Sequence, residues 1–134
     1  MLTLALLATA LLFGGMVLFS FGFAAFLLNA LPPEVARRTI RHAFPHFYLF
    51  VIGTASSAAA LLWPADPLGA GLIALIAVTT VPARQILMPA INRATDTGSK
   101  VRFKQLHGIS VMVTLVHIGA AAYVLVRFAG GIPA

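Results

Sequence analysis

The sequence contains no cysteine and only three acidic residues, Glu34, Asp66 and Asp96. The absence of cysteine excludes disulfides and thiolate chemistry and leaves the redox compartment undetermined. All three acids fall in predicted loops, so no carboxylate is expected within an apolar segment to serve a proton relay or a catalytic triad. Ser56 and Ser57 have no activating neighbour in sequence, and no glycine-rich phosphate motif is present. We therefore predict no enzyme activity unless the chain acquires a cofactor.

Charge of either sign is scarce as well. Charged residues make up 9% of the 134 residues and hydrophobic residues 60%, and the mean hydropathy is +1.00. A soluble domain with this composition could not cover its surface with polar groups, so the sequence predicts an integral membrane protein. There is also no linker-like segment and no internal repeat, and residues 1–134 are expected to form a single transmembrane domain.

Four apolar segments are long enough to cross a bilayer. The first is uncharged and would reach about 45 Å as a helix, which exceeds the hydrocarbon layer of about 30 Å. A secretory signal peptide is the alternative, but no basic residue lies before the apolar run, so we expect a retained helix. The predicted fold class is an all-α membrane protein with four transmembrane helices and a short amphipathic interfacial helix between the first two. The spans are predicted at about residues 2–31, 46–63, 68–91 and 107–128.

The basic residues are concentrated in two loops that lie on the same side of a four-span protein. Only one of the nine, Arg127, falls on the other side, together with Asp66. Since lysine and arginine near span ends stay on the cytoplasmic side, we predict a plasma (bacterial inner) membrane protein with cytoplasmic basic loops and both termini outside. The charge of +6 is thus a topology signal, and nucleic acid is not an expected partner because the loops are too short to dock it.

The loop after the first span predicts the interfacial helix. Its prolines can end one helix and start another, and its arginines lie opposite its apolar residues. Pro45 disfavours a helical conformation at the preceding residue, so His42 and His46 are expected on two different helices, as interfacial histidines and not as a metal pair. The residues expected at lipid headgroups or the interface are Arg37, Arg38, Arg41, Arg84, Arg102 and Lys104. Phe44, Phe47 and Tyr48 suggest an interfacial aromatic belt.

Two histidines lie on the fourth span, ten positions apart. His107 marks the entry of the span, whereas His117 lies near its centre, about 15 Å further along. Their angular separation prevents both from binding one metal on the same helix. His117 is either a neutral imidazole hydrogen-bonded to Thr114 or to a small neighbour, or the ligand of a cofactor that a second helix completes.

Small residues recur within the spans. Gly53 and Ser57 form a small-xxx-small pair, and Gly15 and Gly119 lie in other runs of small residues. Such residues let helix backbones approach closely, so these four are predicted to pack against neighbouring helices. The aromatic residues Phe19, Phe23 and Phe26 could face either lipid or a partner.

Two blocks carry a family resemblance: "FSFGFAAFLLNALPPEVARRTIRHAFPHFYLF" at residues 19–50 and "RFKQLHGISVMVTL" at residues 102–115. With "MPAINRATDTGSK" at residues 88–100, they resemble the family of small four-helix membrane proteins that contains eukaryotic transmembrane protein 205, whose bacterial members carry domain of unknown function 4149. His117 and Thr114 stand where the family is expected to have other residues. The residues that match the family motif are Leu31, Pro32, Phe44, Pro45, Phe47, His107, Gly108 and Ser110.

Three functions remain open. The first is a non-enzymatic, helix-packing accessory subunit of a larger membrane complex, with the lipid bilayer and other transmembrane subunits as partners. The second is a tetrapyrrole-binding protein with His117 as an axial ligand of haem. The third, which the family resemblance implies through its link to platinum-drug resistance, is a small-solute or metal exporter, although the chain offers few soft ligands for a metal.

Overall fold

The computed structural model describes residues 1–131, which form four long helices joined by short turns and contain no strand. Each helix is long and apolar enough to cross a membrane. The predicted all-α, four-helix fold class is therefore confirmed, and the chain is an integral membrane protein. The helices are α1 (Leu2–Ala30), α2 (Pro33–Leu62), α3 (Pro67–Asp96) and α4 (Lys100–Ala129).

Prolines place the ends of these helices. Leu31 adopts an extended conformation and Pro32 a polyproline-like one, and α2 begins directly at Pro33. This agrees with the expected proline stop and start, because proline lacks an N–H and is tolerated in the first helical turn. Pro67 likewise opens α3, behind Asp66 as its N-cap.

The separate interfacial helix predicted before the second span is wrong. Helix α2 is continuous over 30 residues, with Pro45 inside it, so His42 and His46 lie four residues apart on one helix. Proline removes one backbone hydrogen bond, but helices in a membrane protein tolerate it where neighbouring groups satisfy the exposed carbonyls. The basic segment is thus a direct extension of the second span.

Helices α1 and α3 each contain a wider, π-helical turn, at Leu18–Phe23 and at Ala83–Leu87. The second turn directly follows Pro82, whose missing N–H interrupts the α-helical ladder. Such turns are frequent at functional sites.

The core runs along the inner faces of all four helices. Helix α2 packs against α1 and α3, and α4 packs against the same two helices. Buried residues recur every three or four positions, as expected for helix faces in contact. They include Ala5, Leu12 and Met16 of α1; Val51, Ala55, Ala58 and Leu62 of α2; Ala70, Ile73 and Ile76 of α3; and Ala121 and Val124 of α4.

An aromatic cluster joins α1 to α2 near the π-helical turn of α1. The Phe19 and Phe47 rings stack with centroids 4.1 Å apart, and Phe44 meets Phe19 edge to face at 5.1 Å. Phe47 and Tyr48 are each only 8% exposed. The interfacial belt expected for these residues is therefore wrong for Phe47 and Tyr48, which pack inside the bundle.

The orientation in the membrane stays a prediction that cysteine labelling can test, since the chain has no cysteine of its own. We expect a membrane-impermeant maleimide added outside intact cells to label a Pro64→Cys variant in the α2–α3 turn. A Thr97→Cys variant in the α3–α4 turn should react only after the membrane is opened. The reverse pattern would show that the basic loops lie outside.

Candidate functional site

A buried ion pair joins α3 to α4 at the end of the bundle opposite the basic loops. The Arg127 guanidinium donates two hydrogen bonds to the Asp66 carboxylate, at 2.8 and 2.7 Å. Asp66 is 3% exposed and also accepts a bond from the Gly69 N–H at 3.1 Å, which caps α3. The sequence placed both charges on the same side but did not pair them. The Arg127 guanidinium and, more weakly, the Gly69 N–H lower the pKa of Asp66 below its usual range.

A second ion pair joins α2 to α3 at the basic end. Arg41 donates to both carboxylate oxygens of Asp96, at 2.8 and 2.9 Å. Both side chains are about half exposed, so water or headgroups screen this pair more strongly than the buried one. The two pairs therefore fasten α3 at opposite ends, to α4 at one end and to α2 at the other.

Between these ends, the central polar contact is made by His117. Its Nε2 lies 2.7 Å from the Thr79 hydroxyl on α3, whereas the sequence suggested Thr114 on the same helix. The Thr79 hydroxyl donates to the Leu75 carbonyl at 2.6 Å. Because a hydroxyl has one hydrogen to donate, the tautomer of His117 that carries its hydrogen on Nε2 and donates to Thr79 is compatible with the Thr79 bond to Leu75, and Nε2 is engaged by Thr79 in either tautomer. That nitrogen is not free to ligate a metal while the bond is intact.

A small cavity lies on the inner side of His117. It has a volume of about 10 Å³ and is lined in part by Tyr48, Thr80, Ser110 and Thr114. This volume is at the lower limit for one buried water. Polar groups from three helices thus converge on a space too small for a larger ligand.

A much larger groove lies on the outer side, between α3 and α4. Its volume is about 830 Å³, and its lining includes Leu75, Thr79, Met112 and His117. Lys104 and Gln105 line it at the end nearest the basic loops. His117 therefore separates a water-sized interior cavity from a groove of the size typical of ligand sites.

Arg84 does not simply extend toward the headgroups as expected. Its Nε donates to the Pro45 carbonyl at 3.2 Å, and its Nη1 donates to the Gln85 side chain at 3.2 Å. The π-helical turn of α3 is thereby tied to the proline of α2. The sequence signal for this contact was an arginine within an apolar span that also contains a proline two residues earlier.

The first family block forms the α1–α2 junction. Leu31 and Pro32 make the turn, Phe44 and Phe47 belong to the aromatic cluster, and Pro45 supplies the carbonyl that Arg84 binds. The motif residues therefore form the turn before α2 and connect α2 to α1 and α3.

The second family block does not form one site. His107 is exposed and stacks on Phe103, with centroids 5.4 Å apart. Gly108 lines the outer groove, and Ser110 lines the inner cavity. His107 and His117 are separated along α4, as the spacing predicted.

The remaining predicted residues lie mostly on the surface. Arg37, Arg38, Arg102 and Lys104 are exposed near the basic end, and their headgroup contacts stay a prediction. His42 and His46 are also exposed there, and residues 1–131 contain no group of three potential metal ligands.

Of the four residues predicted to pack helices, Gly15 does so within the bundle. A Cβ at Gly15 would collide with the Phe50 ring, whereas Gly53 and Gly119 have no atom within 4 Å of an added Cβ. Ser57 is likewise exposed. These three residues therefore face outward.

The buried ion pair is expected to raise the thermal stability of the protein. A substitution that removes the charge of Asp66 but keeps its N-cap can measure this effect. Asparagine caps helices about as well as aspartate, so Asp66→Asn removes the charge and keeps the cap. We expect the Tm in detergent to fall by about 5 °C or more, because Arg127 loses its buried counter-charge. The matched variant Asp96→Asn should cause a smaller fall, and equal falls would contradict the argument.

The same pair predicts a pH dependence. Because the pKa of Asp66 is lowered in the folded state, its stabilising contribution is complete above the unfolded-state pKa of about 3.9 and is lost as the pH falls through the folded-state pKa. The Tm difference between the wild type and Asp66→Asn should stay constant from neutral pH to about 5 and shrink below about 4. A difference that already disappears near pH 6 would point to another group.

A comparison with known protein families gives a match over most of the chain. The model of a domain of unknown function (DUF4149) matches residues 7–100, more than two thirds of the chain. The block at residues 19–50 and the segment at residues 88–100 lie inside the match, whereas the block at residues 102–115 lies outside it. Curated proteins and solved structures give no match, and the link to eukaryotic transmembrane protein 205 stays a prediction. The chain belongs to the family of membrane proteins that carry domain of unknown function 4149.

Proposed function

We propose that this protein is a non-enzymatic accessory subunit that packs against another transmembrane protein through one face of α2. The observation that carries the proposal is the small-residue face, formed by Gly53, Ser56, Ser57 and Ala60. All four residues are exposed, and their spacing puts them on the same side of the helix. A partner helix can approach the α2 backbone closely here, which is how helices associate within lipid.

The chemistry of this face suits a close helix contact. An added Cβ at Gly53 would have no atom within 4 Å, so the space in front of the glycine is open. The Ser57 hydroxyl donates to the Gly53 carbonyl at 2.9 Å. Because this hydroxyl is satisfied within its own helix, a partner need not supply a polar group, and packing alone can stabilise the contact.

The bundle itself does not use this face. Its helices are joined by two arginine–aspartate pairs, the Thr79–His117 contact and the aromatic cluster. The small side chains on the outside of α2 therefore add nothing to the internal packing, and a partner would give them a role.

The other two functions receive less support. An exporter needs a path through the bundle, but the cavity between the helices beside His117 has a volume of only about 10 Å³. Axial ligation of a tetrapyrrole through the Nε2 of His117 would break its hydrogen bond to Thr79. The outer groove, which His117 lines, has a volume of about 830 Å³, so binding of a tetrapyrrole there is worth testing.

The partner contact predicts a selective effect of Gly53→Leu. We expect this substitution to weaken the complex about tenfold, because a large side chain prevents close approach of the helices. The measurement is native mass spectrometry of the protein extracted gently from its own membranes. Gly71→Leu is the matched control, since Gly71 also has no atom within 4 Å of an added Cβ and lies on α3. A lone monomer in the wild type, or equal loss in both variants, would overturn the proposal.

The tetrapyrrole alternative has its own test. We expect protein purified in mild detergent from cofactor-replete cells to show no Soret band, because His117 is satisfied by Thr79. A band that is present in the wild type and absent in His117→Ala would instead assign the protein to the cofactor-binding class. A band that survives the substitution would place the cofactor elsewhere.

A further inference from the structure

We propose that the outer groove between α3 and α4 binds one anionic phospholipid from the leaflet at the basic end of the bundle. The lipid phosphate lies at Lys104, and an acyl chain lies along Met112 and Val116. This inference is independent of the partner contact on α2, which uses a different face.

The shape of the groove fits a chain running obliquely along the helices. Residues of α4 at every fourth position, from Lys104 through Gly108, Met112 and Val116, form one side, and such a row is inclined by about 26° to the helix axis. Met112 is 62% and Val116 64% exposed. Gly108 has no atom within 4 Å of an added Cβ, so the groove is unobstructed between the lysine and the apolar part.

The length of the groove matches one leaflet. Lys104 and His117 both line it, and the 13 positions between them correspond to about 20 Å of helix. Half of the hydrocarbon layer is about 15 Å thick. A lipid with its headgroup at Lys104 would therefore have its chain ends near the level of His117 and Thr79.

The charge of the groove selects an anionic headgroup. Lys104 forms no ion pair within residues 1–131, and Asp96, the acid on the nearby α3–α4 hairpin, is held by Arg41. Gln105 lies beside the lysine and can donate a hydrogen bond to a phosphate or ester oxygen. A phosphate would supply the counter-charge that the chain does not provide here.

The same charge argues against a helix of a second copy of this chain as the occupant. A helix of a second copy would have to place a carboxylate against Lys104, but Asp66 and Asp96 are each engaged in an ion pair. The remaining acid, Glu34, lies in the first turn of α2. A phospholipid supplies both a negative charge for Lys104 and an apolar chain for Met112 and Val116. Its phosphate and its acyl chain follow one another in the same order as these residues along the groove.

Native mass spectrometry of the full chain in mild detergent tests the proposal by titration with dioleoyl phosphatidylglycerol. We expect one lipid to bind more tightly than dioleoyl phosphatidylcholine, which has the same chains. Lys104→Ala should weaken phosphatidylglycerol binding about fivefold, Lys104→Arg should restore it, and Lys100→Ala, outside the groove, should leave it unchanged. Equal binding of the two lipids, equal loss in both alanine variants, or a dimer that excludes lipid would overturn the proposal.

A second measurement locates the acyl chain. Phosphatidylglycerol with a diazirine on its chain should label the peptide that contains Met112 and Val116, and Gly108→Leu should abolish this labelling by filling the groove. Gly53→Leu is the control, because it alters the small-residue face of α2 and leaves the groove intact. The labelling therefore tests the lipid site independently of the partner contact. Labelling spread evenly over the exposed side of α1 would show only general lipid contact and would contradict the site.

Discussion

The buried carboxylate of Asp66 fixes the relation between α3 and α4 on which the central part of the molecule depends. It caps α3 through Gly69 and holds the guanidinium of Arg127, which lies near the far end of α4. Two antiparallel helices fastened at one end have a defined register along their whole length. That register brings Thr79 opposite His117, and the outer groove lies along the same pair of helices.

The polar groups of this protein are therefore mainly connectors between helices. Helix α3 is tied to α4 by Asp66 and Thr79, and to α2 by Arg84 and Asp96. In lipid there is little hydrophobic force between helices, so a few directional contacts and close packing decide the arrangement. The outward surface is left mainly apolar and carries the outer groove between α3 and α4, which suits contact with both lipid and a partner helix.

The sequence predicted the fold because hydropathy and proline positions depend on the chain alone. It did not predict the continuity of α2 through Pro45, since a proline is tolerated there only because the surrounding helices compensate for it. The partner of His117 and the target of Arg84 were missed for a related reason. Both contacts depend on the register of two helices far apart in sequence, and a single sequence carries no direct signal for that register. The sequence identified Gly15, Gly53, Ser57 and Gly119 as small residues suited to helix packing. It did not show which of these four residues face out of the bundle.

The continuity of α2 also makes it a single rod about 45 Å long, and so longer than the hydrocarbon layer of about 30 Å. Its basic end and its apolar end belong to one helix, so a tilt of the span also displaces the basic end. In a thinner bilayer the rod tilts further, and the height of Arg37 and Arg38 above the membrane surface falls with it. Membrane thickness thus sets the position of these charges, and the ion pair between Arg41 and Asp96 transmits the same tilt to α3.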